Sequence, residues 1–314
     1  MRVLVTGGAG FIGSNLVHAL VVGGHEVGVI DDFSTGKMAN VHPAVWLRHM
    51  DILDPTLPDV VAEFAPEAVV HLAAQTDVTR SIADPSRDRA VNVEGTTAVA
   101  RAAAAAGVGR MLSASSAAVY GNPESLPIAE DALKNPINPY GSSKLEAEAA
   151  LAEALAGTTV DFASMRFSNV YGPRQDGHGE GGVVAIFAAR LAAGERPVIY
   201  GDGRQTRDFI YVGDVVGFIV CALEADSPLA GPMPDGPAYN VSTGHAASVQ
   251  QVAAYLSAAS MVLKQPEFAE ARNGDIADSV LDPGKAASAL GWSAGQSLDR
   301  GLAFTWRWMC ANPS

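Results

Sequence analysis

The sequence predicts an α/β chain built on a doubly wound parallel sheet, and three observations carry that prediction. An apolar strand over residues 2–6 runs straight into Gly7-Gly8-Ala9-Gly10-Phe11-Ile12-Gly13 and then into an apolar-periodic helix over residues 14–22. A second apolar strand, residues 26–30, ends in Asp31-Asp32. Strand and helix signals then alternate through the first half of the chain, the pattern that lays helices on both faces of a parallel sheet.

Each element has a local reason. Glycines at 7, 10 and 13 let the chain turn tightly, let backbone N–H groups approach a pyrophosphate and let the helix pack on the sheet, while the helix start favours the anion. Their spacing is GxxGxxG, a partial match to the commoner GxGxxG. Asp31 follows at roughly the ~20-residue separation expected of a carboxylate that bonds the adenosine ribose hydroxyls. A carboxylate there repels a 2′-phosphate, so NAD is favoured over NADP. Strands at 44–49 and 68–72 come next, then an alanine-rich helix over 88–106 closed by Gly107, and a strand opening at 111–113. Past Arg166 the rhythm breaks. Loops at 172–182, 201–203 and 231–237 separate shorter helices at 183–193 and 248–259. The expected organisation is a Rossmann-type NAD-binding domain over residues 1–165 and a smaller mixed α/β substrate-binding portion over 166–314, interleaved with the first.

Composition sets limits on function. A chain of 314 residues with 48% hydrophobic content buries a large core. The net charge of −13, with 21 Lys and Arg forming no basic run, argues against nucleic acid. A small anionic ligand then depends on a few well-placed arginines. No apolar run is long enough to span a bilayer and the first strand starts at residue 2, so no membrane partner and a cytoplasmic location are expected. Cys221 and Cys310 lie far apart, and the histidines at 18, 25, 42, 49, 71, 178 and 245 form no ligand pattern, so no metal is expected.

The chemistry is concentrated in Asn138-Pro139-Tyr140-Gly141-Ser142-Ser143-Lys144. Asn138 suits a helix cap and Pro139 a first turn, which places Tyr140 and Lys144 four residues apart on one helix face. Free tyrosine ionises near a pKa of about 10, and an ammonium beside it stabilises the phenolate, which makes the pair a general base near neutral pH.

Several further runs appear in order: Asp51-Ile52, His71-Leu72-Ala73-Ala74, Asn92, residues 113–121 (SASSAAVYG), residues 166–174 (RFSNVYGPR), residues 201–214 (GDGRQTRDFIYVGD) and residues 272–275 (RNGD). With the glycine turn and the Tyr140/Lys144 pair they resemble, over essentially the whole chain, the extended short-chain dehydrogenase/reductase family of nucleotide-sugar enzymes. Within it the pattern is most similar to the UDP-glucose 4-epimerases. The resemblance implies a tightly bound NAD held by Gly7, Gly10, Phe11, Ile12 and Gly13, by Asp31, Asp32 and Ser34 at the adenosine ribose, and by Asp51 and Ile52 at the adenine. Leu72, Ala73, Ala74, Asn92, Ser115 and Phe167 complete the implied cofactor set, with Tyr140 and Lys144 at the nicotinamide end. It implies Ser116, Tyr140 and Lys144 as the catalytic residues. It assigns Asn169, Arg207, Arg272 and Asp275 to the substrate side, with Val183, Val198 and Tyr200 around the uracil and Ser116 and Tyr140 at the sugar.

The implied reaction is inversion of C4 in a UDP-hexose by transient oxidation to a 4-keto sugar, a step of galactose and general carbohydrate metabolism. Sugar-nucleotide 4,6-dehydratases carry an Asp-Glu pair where this chain has Ala117-Ala118, which argues against dehydration. Asn169 stands where UDP-glucuronate 4-epimerases commonly have Thr, so the neutral hexose is preferred, but Thr76 stands in the neighbourhood where galactose-pathway epimerases have Lys, which leaves the exact sugar undecided. UDP-glucuronate and UDP-N-acetylhexosamine therefore stay open as substrates. Two other classes are a dehydrogenase or reductase that releases its product and a non-catalytic NAD-binding sensor. The family usually forms homodimers through helices, for which 88–106 and 144–155 are candidates.

Overall fold

The computed structural model describes residues 1–177, 182–229, 237–262, 264–271 and 276–312. Its chain divides into two compact units. The first comprises residues 1–121, 134–166 and 216–239, and the second residues 122–133, 167–215 and 240–314. Among the described residues no helix is long and apolar enough to cross a membrane.

The first unit follows the predicted alternation. In chain order come β1 (Arg2–Thr6), α1 (Phe11–Val22), β2 (Glu26–Asp31), β3 (Trp46–His49), α2 (Leu57–Phe64), β4 (Ala68–His71), α3 (Val78–Ala83), α4 (Pro85–Arg89), α5 (Gly95–Ala105), β5 (Arg110–Ser116), α6 (Pro139–Leu155) and β6 (Asp161–Phe167). The sheet order is β3-β2-β1-β4-β5-β6, closed at the far edge by the strand Ala238–Val241. β1 pairs in parallel with β2 on one side and β4 on the other, Thr6 lying opposite both Ile30 and His71. The direction of winding reverses at β1, and ligands of open α/β sheets bind outside the carboxyl ends of strands at such a reversal. Strands covered on both faces read as unbroken apolar runs, as do the wholly buried Val3, Leu4, Val5, Val69 and Val70. Leu4, Ile30, Phe64, Val99, Met111 and Leu151 form the core between sheet and helices.

The helix expected over 88–106 begins earlier, at Pro85, because Asp84 caps it through the Arg87 N–H. It widens into one π-helical turn over Ala90–Glu94 before continuing as α5. Such single turns of wider helix are frequent at functional sites.

The second unit is mixed, as expected. It contributes β7 (Asn169–Tyr171), α7 (Val183–Ala192), β8 (Val198–Tyr200), β9 (Thr206–Tyr211) and the start of α8 (Val212–Glu224). After β10 (Ala238–Val241) follow β11 (Ala246–Ser248), α9 (Val249–Ser260), β12 (Glu267–Ala269), β13 (Asp278–Ser279), α10 (Gly284–Leu290) and α11 (Leu298–Ala311). β9 is the centre of a small sheet, antiparallel to β11 and parallel to β7 and β13, and β8 pairs with β12 separately. The start of α9 is fixed by a reciprocal cap in which Ser248 and Gln251 each satisfy the other's backbone N–H. Phe187, Ile199, Val252, Leu256 and Leu302 fill this unit's own core.

Candidate active site

The glycine turn is shaped by its surroundings. Gly7 has φ +72°, and a Cβ there would lie 2.6 Å from the Ala73 backbone nitrogen. A Cβ on Gly13 would overlap the Gly7 carbonyl oxygen. Both positions therefore exclude every larger residue. Gly10 differs, since its Cβ would meet only the Gly7 carbonyl oxygen, at 3.3 Å, and no side chain caps the helix that starts there. At the end of β2, Asp31 is buried and accepts the Ala9 N–H at 2.8 Å and the Phe33 N–H at 2.9 Å. Burial raises its pKa, and those two N–H groups oppose the rise. Asp32 accepts from the Ser34 N–H and hydroxyl, and Asp51 accepts the Leu53 N–H and pairs with Arg87 at 3.3 Å. Ile52 is 5% exposed, and Gly95 leaves room for its side chain.

Ser116 acts on the Tyr140 phenol at the end of β5, and Lys144 follows one turn further along α6. Asn138 caps α6 by accepting the Gly141 N–H at 2.8 Å, and Pro139 occupies the first turn, as expected. The Tyr140 N–H donates to the Ser81 hydroxyl. Ser116 ends β5, where its Oγ accepts the Ala118 N–H at 3.2 Å, and its side chain acts on the Tyr140 phenol to lower its pKa. Lys144 is buried, its Nζ donating to the Ala114 carbonyl at 3.0 Å.

The electrostatics depart from the expectation drawn from spacing. Burial pushes the Tyr140 phenol above its ordinary value; the Ser116 hydrogen bond opposes this and the negative charge of Asp88 adds to it. Burial also drives the Lys144 ammonium down to about 8, against Asp88 and Glu148, which hold it up. Desolvation dominates both groups, Lys144 is not among the charges that act on the phenol, and these side chains alone keep the phenol protonated at neutral pH. His71, at the end of β4, is pushed down to about 3 by burial and then by the Lys144 charge. It is neutral and bridges Thr6 Oγ1 at 2.7 Å and Thr96 Oγ1 at 3.1 Å.

Beneath the trio lies a buried network. Arg166 and Glu148 form a two-pronged ion pair with N–O distances of 2.9 and 2.6 Å, and Glu148 also accepts from the Ser115 hydroxyl. The remaining guanidinium nitrogen reaches the Tyr120 hydroxyl at 2.9 Å. Asn92, in the π-helical turn, uses its amide inside the protein. It accepts the Gln75 N–H at 2.9 Å and donates to the Gln75 carbonyl and the Ser143 hydroxyl, both at 3.0 Å. Asn92 thereby holds the Gln75 backbone, at the end of the Leu72–Ala73–Ala74 segment.

In the second unit, β7 and β9 place Asn169 opposite Phe209, on the sheet face that Arg207 shares. Arg207 donates to the Thr206 and Ala277 carbonyls at 2.8 and 3.3 Å. The neighbouring Asp208 is buried and accepts from the Thr243 N–H, the Thr243 hydroxyl and the Gly244 N–H. Val198 and Tyr200 bound β8, Tyr200 being 40% exposed, and Val183 packs against the core cluster that contains Ile199. Phe167, the last residue of β6, is buried. Arg272 and Asp275 lie outside the described residues.

The family model for the NAD dependent epimerase/dehydratase family matches residues 3–242. The chain belongs to this family. A UDP-glucose 4-epimerase from Mycolicibacterium smegmatis is 42% identical over 311 residues, covering 97% of each chain. Among solved structures, a UDP-glucose 4-epimerase from Thermotoga maritima with UDP-glucose superposes with a TM-score of 0.93 at 35% identity, over 100% of each chain. A Thermus thermophilus UDP-glucose 4-epimerase in complex with NAD gives 0.90 at 37% identity, over 99% of this chain and 100% of that one.

The residues present fit the dinucleotide of an NAD-dependent epimerase/dehydratase. The uncapped start of α1 beside an open Gly10 backbone suits a pyrophosphate. Asp31, with one backbone donor on each oxygen, keeps lone pairs for ribose hydroxyls. The sequence reading missed Asp88, Glu148 and Gln75 as parts of this centre. Two of them carry a signal, because Asp88 precedes Asn92, and Glu148 follows Lys144, by one helical turn.

Proposed function

We propose that this protein interconverts UDP-glucose and UDP-galactose by inverting C4, with NAD held tightly through the cycle. The observation that carries the reading is Ser116 acting on a buried Tyr140 phenol, with a buried Lys144 one turn further along the same helix, in a chain of this family. Tyr140 takes the proton of the sugar C4 hydroxyl, directly or through Ser116, which gives up one proton as it receives another. Bound NAD would supply the hydride acceptor for C4 and a positively charged ring that would favour the phenolate. Lys144 would hold the nicotinamide ribose. Tyr140 then returns its proton to the oxygen of the re-reduced sugar, so each cycle ends with the protein as it began.

Inversion requires the 4-keto sugar to present its other face while the diphosphate stays held. Arg207 supplies charge-assisted bonds for that grip, and the resemblance adds Arg272, Asn169 and Asp275, with Val183, Val198 and Tyr200 for the base. The turn after Ser116 is Ala117–Val119, with no carboxylate to eliminate water. The same reading includes a homodimer through the outer faces of α5 and α6, which sedimentation velocity tests.

The deciding experiment incubates purified protein with UDP-glucose and no added cofactor. UDP-galactose appearing by NMR supports the reading. Conversion of UDP-glucuronate alone, or accumulating NADH, overturns it.

A further inference from the structure

Two carboxylates act on the Lys144 ammonium, and they are not equivalent. Glu148, one turn further along α6, is joined to Arg166 by both oxygens and to the Ser115 hydroxyl. Its charge is therefore matched by a guanidinium. Asp88, on α4, is 1% exposed. Its Oδ1 accepts from Gln75 Nε2 at 2.7 Å and from Asn92 Nδ2 at 3.3 Å, and its Oδ2 has no hydrogen-bond partner. The Asn92 bond is the weaker one, because Nδ2 has two protons and two nearer acceptors, the Gln75 carbonyl and the Ser143 hydroxyl. Among the described residues no Lys, Arg or His side chain forms an ion pair with Asp88.

A carboxylate taken out of water and left without a cation is costly, and a fold keeps one where the charge has a use at a distance. The cation on which its charge acts is Lys144, whose neighbour Ser143 is tied through Asn92 to Asp88 itself. We propose that Asp88 is a positioning residue of the catalytic centre, the buried counter-charge that holds Lys144 as an ammonium and fixes the pH range in which Tyr140 exchanges its proton. The proposal rests on the reading that Lys144 and Tyr140 carry the C4 chemistry. Asp88 also braces the Gln75–Asn92 clamp, and that second duty is purely structural.

The charges acting on the pair are few. Asp88 and Glu148 hold Lys144 up against burial, and His71, on the sheet side, is neutral. Ser116 and Asp88 act on Tyr140, the first lowering and the second raising its pKa. Removing the Asp88 charge therefore moves both groups in one direction, toward lower pH. Loss of scaffolding alone moves neither.

The test compares Asp88→Asn with the wild type by two readouts. The first is an NMR titration of lysine labelled with 13C at Cε in the protein without sugar nucleotide. Lys144 is assigned through Lys144→Arg, the other lysines being Lys37, Lys134, Lys264 and Lys285. The second is the pH profile of kcat with UDP-glucose. The expected results are a Lys144 midpoint lowered by about one pH unit and both limbs of the profile displaced to lower pH by a similar amount. Asp88→Glu, which keeps the charge, is expected to retain the wild-type limbs. A lowered kcat with unmoved limbs and an unmoved Lys144 midpoint overturns the proposal. Should Asp88→Asn not fold, Asp88→Ser gives the same readouts, and a chain that folds with neither assigns Asp88 to folding and overturns it. Absence of turnover in the wild type would overturn the proposed reaction, while the lysine titration would still report on Asp88.

Discussion

His71 makes the stability of this protein depend on pH in a calculable way. The ring is pushed to about 3 by burial and by Lys144, against an ordinary value of 6.5. The folded state therefore leaves His71 neutral wherever the unfolded chain would protonate it. Because the unfolded state binds the extra proton, stability is fully present above 6.5 and is lost as pH falls toward 3. One proton changes the unfolding free energy by at most about 1.4 kcal/mol per pH unit. Between pH 7 and pH 5 the unfolded-state titration yields a loss of roughly 2 kcal/mol, and the whole interval is worth roughly 5 kcal/mol. The assay is urea unfolding of the wild type and His71→Gln at several pH values from 7 to 5. The wild type should lose roughly 2 kcal/mol more than the variant over that span. Equal slopes would refute the reasoning, as would a His71 ring resonance that titrates near its ordinary value in the folded protein.

Three further outcomes follow from the site. Tyr140→Phe is expected to lower kcat by about 10²–10⁴-fold while leaving NAD bound, as read by turnover and by the absorbance of the released cofactor. Gly10→Ala should weaken NAD binding with a stability change within about 0.5 kcal/mol, since its φ of −77° suits alanine, whereas Gly13→Ala should impair folding as well. Calorimetry with added NAD separates the two. Arg166→Met should cost about 3–5 kcal/mol in denaturant unfolding by stranding Glu148, and Arg166→Met with Glu148→Leu should cost less than the single change.

The legible parts of the sequence were those whose meaning is local. The strand-to-helix turn, Asp31, the Asn138 cap and the Tyr140–Lys144 spacing all sit within a few residues of the structure they specify. Parts that depend on distant partners were hidden. Asn92 reads as a polar residue on a helix, and only its bonds to Gln75, 17 residues earlier, and to Ser143, 51 residues later, show that its amide is consumed internally. Arg166 marks a motif in the sequence, yet it is wholly buried against Glu148. The acid–base state of the trio was hidden for the same reason. Spacing reports that Tyr140 and Lys144 share a helix face, while burial, set by the whole fold, raises the Tyr140 pKa against the expected direction and lowers that of Lys144.

The chain passes between its two units at 121/122, 133/134, 166/167, 215/216 and 239/240. No single cut releases either one complete. Ending the polypeptide after β6 would strip the parallel sheet of its outermost strand, Ala238–Val241, and would take away the Ala222 and Leu223 carbonyls that Arg110 holds. Gene fusion or exchange of a substrate module between relatives thus has no clean seam here.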